Sequence, residues 1–197
     1  MITAILLTAG ESRRMTRDNN LLLEYKGHPM VRHVASQLIK SDVDEIIVLT
    51  GYQHRQIEEA LSGLELKFVY NPDYYSGMAS SVTRGTEEIS EKSQGIMVCL
   101  SDMPKLEAMH YNALVKKYAK EKEAGNTPII RPVHRDSFGY PVVFDKAFFT
   151  DIKNCRAQDG CNPVITENQE HYIPYTLANE AYYLDIDTPT DYYKLRE

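Results

Sequence analysis

The order of apolar runs constrains this chain more than any single motif. Residues 2–7, 45–50, 66–70, 95–100 and 128–131 are short apolar stretches of the kind that buried parallel strands require. Between them, residues 29–39, 53–61, 80–89 and 106–123 carry apolar side chains near a helical period, with Pro29 in the first turn of the earliest helix. Strands alternating with helices imply a mainly parallel sheet covered on both faces. Toward the C-terminus, residues 139–144, 172–174 and 182–185 read as further strands, so the sheet is expected to be mixed at its edge. The expected class is an α/β, Rossmann-like fold. No repeat, linker or low-complexity tract divides the sequence, and one domain over 1–197 is expected.

Composition narrows the partners. A formal charge of −6 argues against a nucleic-acid backbone as the main ligand, because phosphate tracking needs a basic face. A mononucleotide needs only a local cluster of donors. Cys99, Cys155 and Cys161 form no CxxC pair and suit reduced thiols. The apolar start is too short for a signal peptide or a membrane span, and a cytoplasmic protein with no membrane partner is expected. The six histidines show no metal-ligand spacing and read as surface or capping residues, and Cys99 reads as core.

In open sheets of this type, ligands sit beyond the carboxyl ends of the strands. Three candidate segments fall there: 8–15, 101–104 and 185–189. The first, Thr8-Ala9-Gly10-Glu11-Ser12-Arg13-Arg14-Met15, follows a buried strand directly. Gly10 permits close backbone approach, so that successive N–H groups can converge on phosphate oxygens. Ser12 adds a hydroxyl and Arg14 a fixed positive charge against a triphosphate. The plainer alternative is a turn with solvated arginines. The loop is neither a Walker loop nor a GxGxxG fingerprint. Asp102, between a strand and Pro104, suits either Mg²⁺ held against phosphate or a helix cap. Asp187, before Thr-Pro, is equally open. Gly77, Met78, Ser80 and Ser81 lead into a helix, where small residues admit a flat base and hydroxyls either read its edge or cap the helix.

The segment LTAGESRRM resembles the Leu/Ala-x-Ala-Gly-x-Ser-x-Arg-Met signature of the MobA-like nucleotidyltransferases, in particular the molybdenum cofactor cytidylyltransferase branch. The likeness continues in NPDYYSGMASSV from Asn71, in Leu100-Ser101-Asp102-Met103-Pro104, in GYPVVF from Gly139 and in DIDTPTDY from Asp185. It implies the nucleotide-diphospho-sugar transferase fold, Mg²⁺ held by Asp102 and Asp187, and a nucleoside triphosphate held by Arg14 and the backbone of residues 8–12. It also places the 77–81 segment at the base and acceptor. Ala9, where guanylyl-transferring relatives carry Gly, points to CTP.

Two departures stand out. Asn20 occupies the position of the family's phosphate-binding, rate-enhancing Lys, and an amide loses charge and reach there. Thr16 replaces a Gly, and neither Arg17 nor Lys26 has the register to compensate. The family's GD-x-GAR-like segment is only loosely represented by residues 158–163. The resemblance thus implies transfer of an NMP to a phosphorylated acceptor such as molybdopterin, with Arg14, Asn20 and Asp102 at the reacting centre. The alternatives are a relative impaired at Asn20 that binds a nucleotide or partner, and a transferase for a sugar or alcohol phosphate.

Overall fold

The structure, a computed structural model, describes residues 1–12, 14–15, 19–135, 137–156, 160–176 and 179–196. In chain order the elements begin with β1 (Ile2–Leu7), β2 (Glu24–Tyr25), β3 (His28–Pro29) and α1 (Met30–Ile39). There follow β4 (Glu45–Thr50), α2 (His54–Ala60), β5 (Lys67–Tyr70), α3 (Met78–Glu87), β6 (Gly95–Leu100) and α4 (Ala108–Glu123). The rest are β7 (Ile129–His134), β8 (Ser137–Phe138), β9 (Val142–Asp145), α5 (Phe149–Asn154), α6 (Asn162–Glu167), β10 (Tyr172–Thr176) and α7 (Pro189–Arg196).

The main sheet runs β10-β7-β9-β6-β1-β4-β5, with β8 on β7. β1 is central and pairs in parallel with β4 and β6. Its alternation divides the core. Ile2, Ala4 and Leu6 meet α1, α2 and α4 through Val34, Leu38, Ile57 and Tyr111, all fully buried. Ile5 faces the other layer, where Val82 of α3, Ile152 of α5 and Val164 of α6 pack. Fully burying one such side chain contributes about 2 kcal/mol. The one polar residue of β1, Thr3, is also fully buried. It is satisfied because its hydroxyl lies 2.8 Å from Glu45 Oε2 and 3.1 Å from Ser93 Oγ.

The mainly parallel, mixed sheet is as expected, but one of its two antiparallel strands lies inside the sheet rather than at the edge. β9 runs antiparallel to both β6 and β7. The link between β7 and β9 spans only residues 135–141, too short for the crossover a parallel pair needs. The strand expected at 182–185 is absent. Asn179 Oδ1 instead accepts the Ala181 N–H at 2.9 Å and caps a 3-10 turn over Glu180–Tyr182. After it the chain makes isolated bonds, Tyr140 N–H to Tyr182 O at 3.0 Å and Ile186 N–H to Asp102 O at 2.9 Å. Gly139 permits this approach, since a Cβ there would stand 2.4 Å from Tyr182 O. Cys99, Cys155 and Cys161 are buried free thiols. No helix among the described residues is long and apolar enough to cross a membrane.

Candidate active site

A cavity of about 530 Å³ opens at the carboxyl ends of β1 and β6 and beside the N-terminus of α3. The three segments singled out in the sequence all reach it. Leaving β1, the chain is first lashed to β4. Thr8 donates both its N–H (3.0 Å) and its hydroxyl (2.8 Å) to Leu49 O, and Ala9 O accepts the Tyr52 N–H at 3.1 Å. Gly51 makes this possible, because a Cβ there would lie 2.7 Å from Tyr74 and 2.8 Å from Ala9. Thr8, expected among the nucleotide-binding residues, is therefore spent on the sheet and does not line the cavity. Ala9, Gly10, Glu11, Ser12 and Arg14 do line it. Ser12 turns the loop at φ 49° and accepts the Met15 N–H at 2.8 Å.

On the opposite wall Asn71 is the organiser. Its N–H donates to Thr50 O (2.8 Å), and its amide reaches Ser80 Oγ (2.9 Å) and Ser81 Oγ (3.0 Å). Gly77, at φ 115°, turns the chain into α3. Gly77, Met78 and Ser81 face the cavity. Ser80 is not among the lining residues, and its hydroxyl lies within hydrogen-bonding distance of Gly77 O (2.8 Å) and Asp73 O (3.1 Å). Tyr74, Tyr75 and Ser76, not singled out beforehand, complete this wall. Their signal was present in the NPDYYSGM string.

The floor is acidic. Ser101 Oγ donates to Leu7 O at 2.5 Å, closing β6 onto β1, and Asp102 follows it. Ile186 is fully buried in a small cluster with Tyr25 and Met30. Its neighbours Asp185 and Asp187 both line the cavity. Asp185 was missed as an individual residue, although the DIDTP string contained it. Arg14 reaches across the cavity to Asp187 at 2.5 Å. Burial, then the charges of Asp187 and Asp185, push the Asp102 carboxyl up to about 7, against a smaller pull from Arg14. Burial and Asp185 push Asp187 up to about 6. Asp102 Oδ1 is buried without a hydrogen-bond partner among the described residues.

That donor set fits a hard divalent cation. An orphaned buried carboxylate oxygen beside a second carboxylate lacks positive charge and ligands, which such an ion supplies. No cluster of three ligating side chains occurs among the described residues.

Asn20 lies at the cavity wall but is almost fully buried. Its Oδ1 accepts the Ser12 hydroxyl at 2.6 Å, and its amide donates to Ile186 O at 2.7 Å. Lys26 stands over the Tyr25 ring and does not line the cavity. Thr16, Arg17 and positions 158–159 of the 158–163 segment lie outside the described residues. Gly160, Cys161 and Asn162 line a small apolar space shared with Met78 and Tyr140. Of the histidines, His110 caps α4, its Nδ1 accepting the Glu107 N–H at 2.9 Å.

A family model for the MobA-like NTP transferase domain matches residues 4–172. The chain is similar to the bifunctional protein GlmU of Listeria innocua, 34% identical over 138 residues, which are 70% of this chain and 29% of that protein. It thus spans less than a third of the length of that relative. It is 26% identical over 199 residues to the nicotine blue oxidoreductase of Paenarthrobacter nicotinovorans, covering 98% of this chain and 96% of that one. Among solved structures, Rv0371c of Mycobacterium tuberculosis matches with a TM-score of 0.84 at 20% identity, covering 98% and 96% of the two chains. The same protein solved with manganese matches at 0.75, at 20% identity and 98% and 97% coverage. These two are likenesses of fold.

Proposed function

The chain belongs to the MobA-like NTP transferase family, and on that premise we propose that it is a divalent-metal-dependent nucleotidyltransferase. An NMP, with CMP favoured, passes from its triphosphate to a phosphorylated acceptor of the molybdopterin type. The observation that carries this reading is the meeting, around one cavity, of a loop bearing Arg14 with the carboxylates Asp102 and Asp187.

Backbone N–H groups of Gly10, Glu11 and Ser12 and the Arg14 guanidinium hold the triphosphate. Asp102 and Asp187 hold Mg²⁺, which when bound neutralises phosphate charge. Gly77, Met78 and Ser81 flank the base. An acceptor phosphate oxygen then forms a bond to the α-phosphorus as the bond to the pyrophosphate oxygen breaks, and pyrophosphate leaves. Catalysis of this kind is positioning plus electrostatic stabilisation rather than covalent chemistry by the protein. The Ala9 position supports CTP by family likeness alone.

Titrating CTP, GTP, ATP and UTP with Mg²⁺ while following the melting temperature tests the binding half. CTP should raise it with a concentration dependence set by linkage, and more strongly when metal is present. Pyrophosphate release with an acceptor series tests the transfer half, and no response to any nucleotide sinks the reading. A second reading, an oxidoreductase on the same fold, is supported by the relative that matches this chain almost end to end. Pyrophosphate release separates the two.

A further inference from the structure

Two stretches far apart in the chain bound the cavity: the loop carrying Ser12 and Arg14, and the segment 185–187 that carries two carboxylates. One side chain bonds to both. The Asn20 amide spends its oxygen on the Ser12 hydroxyl (2.6 Å) and its nitrogen on Ile186 O (2.7 Å), and it is almost fully buried. Ile186 in turn donates its N–H to Asp102 O at 2.9 Å, so Asn20, Ile186 and Asp102 form one chain of hydrogen bonds. Arg14 and Asp187 meet across the same gap.

We infer that Asn20 is a positioning residue, which fixes the spacing of the Asp102 and Asp187 carboxylates, and of the Ser12 turn, without touching metal or nucleotide. The inference rests on the proposed metal and triphosphate site. An amide is suited to this bridge because it offers an acceptor and a donor on one planar group. Lysine offers donors only, so it cannot accept the Ser12 O–H. The substitution Asn20→Lys therefore damages this site instead of repairing it.

The test uses Mn²⁺ alone, and separately inorganic tripolyphosphate in EDTA, each titrated against the whole chain by calorimetry. Groups that orient metal ligands typically cost about 10–100-fold in metal affinity when removed. Asn20→Ala and Asn20→Lys should each weaken Mn²⁺ at least about 10-fold by the same reasoning. Ser12→Ala cuts only the loop side of the bridge. It should weaken tripolyphosphate and leave Mn²⁺ affinity at the wild-type value, a split that general loosening of the fold does not produce. Asn20→Thr, with one hydroxyl that cannot span both partners, carries the test if Asn20→Ala does not fold. Wild-type Mn²⁺ affinity in the Asn20 variants overturns the inference while leaving the proposed metal site intact. A wild type that binds no Mn²⁺ overturns both.

Discussion

Asp102 is where the electrostatics of the cavity are least balanced, with a buried oxygen lacking a hydrogen-bond partner among the described residues and two further carboxylates nearby. A carboxyl whose folded pKa is raised, from 3.8 to about 7, binds more protons in the folded than in the unfolded state between those values. Its contribution to stability is then complete below about pH 4 and is lost as pH rises through 7. In EDTA, wild type minus Asp102→Asn should therefore show a melting-temperature difference that turns against wild type between pH 5 and 8, and a flat difference contradicts the placement. Arg14 is the one cation that lines the cavity among its described residues. Arg14→Ala should lower turnover about 10²–10³-fold, as loss of one electrostatic stabiliser typically does. At this scale the sequence was partly readable. Arg14, Gly10 and Asp102, picked out in the sequence, line the cavity. Thr8 and Ser80 do not, because their hydroxyls meet backbone carbonyls, Leu49 O across the sheet and Gly77 O in the same turn, and no string of residue types records which carbonyl is nearer.

Among the elements, the start of α4 shows how a helix end can depend on pH. His110 Nδ1 accepts the Glu107 N–H, and burial lowers the imidazole pKa. The neutral ring is what the fold holds, so stability is lost as pH falls through 6.5, where the unfolded chain takes up the proton. His110→Leu should cost about 1 kcal/mol at pH 8 for the lost hydrogen bond. It should also melt with a shallower acid slope, measured by chemical denaturation at pH 5 and 8. Strands β4 and β6 were legible to the residue because a buried strand between helices is a continuous apolar run with polar ends. The 180–187 stretch was not, since Tyr182, Tyr183 and Leu184 read as a strand while Asn179 and Gly139, one capping and one making room, decide its shape.

For the whole molecule, the strap 180–187 brings Asp185 and Asp187 to the cavity at the carboxyl ends of β1 and β6. Gly139→Ala places a methyl group against Tyr182 O and Tyr183. Overpacking of this kind typically costs about 1–3 kcal/mol. Because the displaced strap leads into Asp185 and Asp187, the variant should also bind Mn²⁺ more weakly than wild type. A stability loss with unchanged Mn²⁺ affinity would show that strap and site are independent.

The bond from Asn20 to Ile186 joins positions 166 apart in the chain. Contacts of such separation cost the most chain entropy to close and tend to form late. A nascent chain that has reached β9 already owns the loop and Asp102, yet it has neither Asp185 nor Asp187. The acidic floor of the cavity is therefore a product of long-range closure: no local segment of the chain carries Asp102 together with Asp185 and Asp187.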